Sequence, residues 1–191
     1  MRASVIIPTR GRDQCLRQTI RDLAEQELAG SDGFDIWVVD QNDEPLRGLE
    51  AEAGKIKLHH EIMGPLGSHA GRNHAIFKTD AEVSIFCDDD VRIPPRFVKA
   101  HIKAHELYLR DLKQVACVAG RVIQPKDGLS EEDMLRAGRL ARYNSYTGQV
   151  TGNFVGFDLG FVDHIHECNF SARTQVLRDI GGFNEEFAGD R

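Results

Sequence analysis

The sequence predicts an α/β fold: a mostly parallel sheet with helices on both faces. Three observations predict it. Short apolar, β-branched runs alternate with helical patterns from residue 4 to about residue 112. The runs "SVII" (4–7), "FDIWVVD" (34–40) and "VSIFC" (83–87) lack in–out alternation, which suits strands buried on both sides. Each run ends in polar residues, Pro8-Thr9-Arg10, Asp40 and Asp88-Asp89-Asp90, and parallel sheets bind ligands beyond the carboxyl ends of their strands.

The elements follow in order. Pro8 closes the first strand, because it has no N–H for the ladder. "GRDQCLRQTIRDLAEQELAG" is a helix with Asp13 as N-cap, Leu16, Ile20, Leu23 and Ala24 on one face, and Gly30 as its stop. After the strand at 34–40 comes the turn "QNDEP", a short helix up to Gly54, and a weaker strand, "KIKLHHE". "GPLGSHAGRNHAIFKT" is a glycine-containing turn that enters a helix capped by Ser68. The strand at 83–87 leads to Pro94 and Pro95, which open a long helix reaching about Leu112. "VACVAGRVI" (115–123) is another strand, 124–165 is irregular, and the last stretch is a strand, a helix from about Thr174, and a stop at Gly181-Gly182.

The totals limit the function classes. A chain of 191 residues suits a single domain with a sizeable core. A net charge of −6, from 24 basic and 30 acidic residues, argues against a nucleic-acid binder, which needs a basic face. Cys15, Cys87, Cys117 and Cys168 are scattered and form no CxxC pair, so they read as buried thiols in a reducing compartment rather than a zinc site. There is no charged-then-apolar leader and no apolar run long enough to span a bilayer. The expectation is a cytoplasmic protein, with peripheral association at the inner face of the membrane left open.

Chemistry concentrates at the strand ends. Asp88, Asp89 and Asp90 repel one another, and a divalent cation such as Mg²⁺ or Mn²⁺ relieves that repulsion while joining them to a phosphate. An acidic surface turn is the plain alternative. Asp40 either caps its turn or accepts an N–H from a base or a ribose hydroxyl. Pro8, Thr9 and Arg10 lie at the neighbouring strand end, where a hydroxyl and a cation serve the same nucleotide. Arg72 and Asn73 open a helix, where phosphates are favoured, or else form a surface arginine and an ordinary cap.

Taken together and in order, "SVIIPTRGR", "WVVDQND", "GSHAGRNHAI", "IFCDDDVRIPPRFV" and "CNFSARTQVLRDIGGFNEEF" resemble a family 2 glycosyltransferase with the GT-A-type, Rossmann-like fold. The resemblance implies a nucleotide-diphosphate-sugar donor, usually a UDP-sugar, a divalent cation, and transfer with inversion to a hydroxyl of a saccharide, lipid or other acceptor. It implies that Thr9 and Asp40 hold the nucleoside, that Arg72 lies near the diphosphate, and that the aspartates bind ribose and metal, with Asp89 and then Asp90 as metal ligands. It also divides the single domain into a nucleotide-sugar-binding part (about 1–123) and an incomplete acceptor-side part (about 124–191).

The chain departs from the family pattern at several positions. Cys87 occupies the first slot of the usual D-x-D-D motif, Gln41 stands where a second aspartate is common, and Glu167 where a glycine is common. The family's general base follows "GGFNEEF". Here that is Asp190, or a residue beyond Arg191 if the sequence is a truncated piece, with Glu185 and Glu186 at the surface. Tyr143, Tyr146, Asn153 and Phe154 belong either to a mobile acceptor-side loop or to ordinary surface. His164 and His166 share one side of an expected strand, more as hydrogen-bonded fillers than as metal ligands. His59, His60, His101 and His105 are expected at the surface. A nucleotidyltransferase ranks below the transferase, because "PTRGRD" has one glycine after the first strand. A non-catalytic sugar-nucleotide-binding domain is the rival of a different class, and turnover separates the two.

Overall fold

The computed structural model describes residues 1–27, 33–112, 117–123, 142–147, 149–151, 160 and 162–187. β1 (Ala3–Thr9), β2 (Phe34–Asp40) and β4 (Val83–Phe86) are buried along their whole length. β3 (Leu58–Ile62) is partly buried. With β5 (Cys117–Ala119) and β8 (Phe170–Arg173) they form one sheet in the order β3-β2-β1-β4-β8-β5. The first four strands run parallel, and β8 pairs antiparallel with both β4 and β5. β6 (Arg142–Asn144) and β7 (Gln149–Thr151) form a separate antiparallel hairpin.

Each face of the sheet has its own core. Val5 and Ile7 of β1, Ile36 and Val38 of β2, and Ile85 of β4 pack against Leu16, Ile20 and Leu23 of α1 (Asp13–Ala24) and Val98 and Ile102 of α3 (Phe97–Leu112). The alternate residues Ile6, Trp37, Val39 and Phe86 face Ala75 and Ile76 of α2 (Ser68–Lys78) and Leu177 of α4 (Thr174–Asp179). The period-2 pleat thus splits each apolar run between two helix layers. At about 1.5–3 kcal/mol per fully buried large side chain, the two layers supply most of the drive to fold.

Several local expectations change. β1 continues through Pro8, which pairs with Val39. The ladder to β4 ends at Ile6, so Pro8 has one strand neighbour and its missing N–H is tolerated. Asp13 is the first residue of α1, after Arg12 in the cap position, and it pairs with Arg17 one turn on at 2.9 Å. Ser68 opens α2 without a side-chain cap, after Gly67. The stretch before Gly54 is a single 3₁₀ turn, Leu49–Ala51. α3 begins at Phe97, with Pro94 closing the preceding turn through a bond from Phe97 N–H at 3.1 Å. The strand expected at 115–123 is Cys117–Ala119 among the described residues. His101 and His105 are buried, at 4% and 0% exposure: Ser171 and Asn169 bond both nitrogens of His101, and Ser171 bonds His105 Nε2, while His105 Nδ1 is buried without a partner. His59 and His60 are half-buried against Asp35 and Asp40. Of the cysteines, Cys87 and Cys168 are buried, and Cys15 and Cys117 are exposed. Among the described residues no helix is long and apolar enough to cross a membrane.

Candidate functional site

The carboxyl ends of β1 and β4, the turn before α2 and the segment before β8 enclose a cleft of about 890 Å³. Pro8, Thr9 and Arg10 line it from β1, Arg72 from α2, and Asp88 and Asp89 from the end of β4. Six of the eight residues expected around the nucleotide sugar therefore meet here.

At the centre lies Asp89, whose carboxylate is almost fully buried. The Thr9 hydroxyl donates to its Oδ2 at 2.7 Å, and Arg12 Nη1 donates to its Oδ1 at 2.9 Å. The same Arg12 nitrogen reaches Asp90 Oδ2 at 3.1 Å, and hydrogen bonding to Asp89 is the main reason its pKa is raised. Thr19 of α1 donates to the carbonyls of Asp89 and Val91, which fixes the acidic turn against the helix. Asp90 itself is half exposed and lies outside the cleft lining.

Among the described residues Arg72 is the largest fully buried side chain. It donates through Nη2 to Asp88 Oδ1 at 3.2 Å and through Nη1 to Glu167. Its guanidinium lies 5.7 Å from the centre of the Phe183 ring, and its Nε is buried without a partner. Burial raises the pKa of Asp88, Arg72 opposes that, and Asp90 and Asp89 push it further up. Glu167 goes the other way: Arg72 and His69 outweigh its burial and lower its pKa.

Two expected ligands are saturated by the protein. Asp40 is fully buried, and its oxygens accept from Asn42 N–H at 2.9 Å, the Asn42 amide at 2.7 Å and Leu46 N–H at 2.7 Å, with His60 Nε2 at 2.9 Å. Burial alone would raise its pKa, but these bonds lower it. It organises the turn after β2, and the neighbouring Gln41 lines the cleft instead. Asn73 donates to Phe183 O at 2.9 Å and Glu185 Oε1 at 2.8 Å and accepts from Phe183 N–H at 2.8 Å. It is a staple for the 183–185 segment.

The cleft also contains residues the sequence did not single out as ligands: Arg12, Gln41, Leu66, Glu167 and Glu185. Gln41 accepts from the N–H groups of Leu66 and Gly67, both at 2.9 Å, and so holds the turn before α2 over the cleft. Glu185 is exposed, as expected, and Asn73 holds it at the edge of the cleft. Arg72 and Asn73, expected to open the helix, lie in the second turn of α2, after Ser68 to Gly71. His164 and His166 lie in irregular chain, not a strand, so period 2 does not align them. His166 Nδ1 instead lies 3.1 Å from Cys168 Sγ. Asp190, Asn153 and Phe154 fall outside the described residues, and Tyr146 stands at the tip of the β6–β7 hairpin, 97% exposed.

Asp89 and Asp90 offer carboxylate oxygens, the donor type that a hard divalent cation takes. One nitrogen of Arg12 already places positive charge between Asp89 and Asp90. Among the described residues no three His, Cys, Asp or Glu side chains converge on one point. Mg²⁺ in particular is often held by one or two carboxylates, with phosphate and water completing its shell.

Comparison with known proteins places this geometry. The chain is 33% identical over 109 residues to the uncharacterized glycosyltransferase YfnE of Bacillus subtilis (strain 168), covering 56% of this chain and 27% of that one. The fold is similar to S. aureus TarS 1-349, with a TM-score of 0.66 and 19% identity over 99% of this chain and 52% of TarS 1-349. It is also similar to the mannosyltransferase PcManGT from Pyrobaculum calidifontis, solved with GDP-Man and Mn²⁺, with a TM-score of 0.63 and 16% identity over 96% of this chain and 48% of that one. The chain thus spans about a quarter of the curated relative and about half of each solved structure. The family Glycosyl transferase family 2 matches residues 4–170, from the first strand, through both halves of the acidic cleft, to the start of the last strand. The chain belongs to that family.

Proposed function

We propose that the cleft binds a nucleoside-diphosphate sugar, with UDP as the nucleotide, and that the protein transfers the sugar with inversion to an acceptor hydroxyl. The observation that carries this is Arg72: a fully buried cation in the second turn of α2, lining the cleft and flanked by acids, with one donor N–H unpartnered. A leaving diphosphate needs such a preorganised cation. TarS solved with UDP and with UDP-GlcNAc, and PcManGT solved with GDP-Man and Mn²⁺, support the donor class.

In this reading Pro8, Thr9, Arg10, Gln41 and the 65–67 turn face the nucleoside. Asp89 and Asp90 hold the cation, which when bound neutralises charge on the diphosphate. Thr9 and Arg12 keep the two carboxylates in position. Arg72 stabilises the leaving phosphate as the acceptor oxygen bonds to the anomeric carbon and the carbon–oxygen bond to the diphosphate breaks. The acceptor's proton goes to a carboxylate base, for which Asp190 remains our assignment.

The test is calorimetry of UDP, GDP, dTDP and CDP with and without Mn²⁺, on the wild type and on Asp89→Ala and Asp90→Ala. UDP should bind tightest, at least about tenfold tighter with Mn²⁺, and both variants should lose that gain. Affinities indifferent to metal and to both aspartates would remove the assignment.

A further inference from the structure

We propose that Glu167 selects the donor sugar by charge, so that the cleft takes an uncharged or amino sugar and turns away a uronic acid. The proposal rests on the donor reading above and adds the sugar class to it.

The sheet order gives the cleft a direction. Thr9 and Gln41 lie at the ends of β1 and β2, Asp88 and Asp89 follow β4, and Glu167 precedes β8. A nucleoside at the β1–β2 end and a diphosphate beside Arg72 leave the sugar on the β4–β8 side. Asp88 and Glu167 line that side, and Glu185, held by Asn73 of α2, lines the same cleft.

Glu167 is not a freely moving surface acid. Its side chain is 54% exposed, yet Arg72 Nη1 holds one oxygen and His69 Nε2 lies 3.5 Å from the other. His69 is itself fixed, with Nδ1 2.9 Å from Asn184 O and its ring stacked on Phe183 at 5.4 Å. A carboxylate oxygen has more than one acceptor site, so a pinned, half-exposed carboxylate can still accept from two neighbouring sugar hydroxyls.

The same arrangement disfavours a sugar carboxylate. Arg72 is the buried cation on this side. Both its Nη atoms are already engaged by acids, and its Nε is buried. Its single positive charge is thus already shared between Asp88 and Glu167 before any ligand enters. A uronate would therefore face Asp88, Glu167 and Glu185 together, three acids against one shared guanidinium, and unbalanced like charges repel in a partly dry cleft.

The experiment compares UDP, UDP-glucose and UDP-glucuronate, which share the nucleotide, while the two sugars differ in charge at one carbon. Dissociation constants are measured with Mn²⁺ for the wild type, Glu167→Gln, Glu167→Asp and Glu185→Gln. The wild type should bind UDP-glucuronate at least about tenfold more weakly than UDP-glucose. Glu167→Gln should narrow that ratio by roughly fivefold or more, and Glu167→Asp should preserve it. A wild-type ratio near one, an unchanged ratio in Glu167→Gln, or equal narrowing in Glu185→Gln would overturn the proposal. UDP alone separates the two readings: binding without sugar discrimination removes this inference only, and no UDP binding removes both.

Discussion

The Asn73 amide finds its partners within the chain, in the 183–185 segment. The sequence suggests an asparagine beside an arginine at a helix start, a position expected to face the nucleotide sugar, but the residue lies in the second turn of α2. What the sequence could not supply was the partner, 110 residues away. Asp40 is similar: its place at a strand end was legible, but the four bonds that saturate it depend on how the turn closes. Gly182 makes the Asn73 contact possible. Gly181 N–H bonds Arg178 O at 3.0 Å and Gly182 N–H bonds Leu177 O at 2.8 Å, the paired bonds that close a helix C-terminus. Both glycines have positive φ, +86° and +81°. A Cβ on Gly182 would lie 2.4 Å from Asn73 Oδ1, so Gly182→Ala combines a disfavoured backbone with a clash against a pinned amide. We expect it to destabilise the protein by about 2–4 kcal/mol in urea unfolding, whereas a loss under about 1 kcal/mol would mean the loop yields freely.

At the scale of elements, α3 was legible as a helix but its polar buried face was not. Val98, His101, Ile102 and His105 follow the spacing of a core stripe, i, i+3, i+4, i+7. That spacing was the signal for burial, and histidine's polarity hid it. The two rings meet the Ser171 hydroxyl of β8, His101 Nδ1 at 2.8 Å and His105 Nε2 at 2.9 Å. His101 Nε2 also lies 2.9 Å from Asn169 Oδ1, and the Phe97 ring packs edge-on to His101 at 4.9 Å. Burial pushes both pKa values down to about 4, and Arg173 adds to the effect on His105. Their folded values lie below the unfolded value near 6.5, so the unfolded chain binds more protons between about pH 4 and 6.5. Their contribution is complete above about pH 6.5 and is lost as the pH falls through that window, at up to about 1.4 kcal/mol per pH unit for each ring. Urea unfolding at pH 7.5 and pH 5 should show this loss, and His105→Gln should reduce it. An equal pH dependence in the variant would exclude His105 as a source.

For the whole molecule, the parallel half of the sheet was legible because strands covered on both faces read as continuous apolar runs. The place of β8 was not legible. "FSAR" has a serine and an arginine among four residues, and its antiparallel pairing between β4 and β5 joins segments more than 50 residues apart. That pairing bears on the division at about residue 123, because the second core does not respect it. Phe170 stacks on Phe86 with ring centres 4.6 Å apart, Ser84 and Thr174 share a buried hydroxyl contact at 2.9 Å, and Leu177 packs with Ile76 in the same cluster. Ending the chain at residue 123 would uncover Phe86 and unpair one edge of β4. Losing Phe170 and Leu177 alone removes about 1.5–3 kcal/mol each, a large share of a typical total of about 5–15 kcal/mol. The nucleotide-binding half should therefore not fold alone: a fragment of residues 1–123 should show no cooperative urea transition by circular dichroism, while residues 1–187 should show a single one. A sharp transition in the short fragment would mean that the β1–β4 layer is self-sufficient and that β8 is an addition to a finished core.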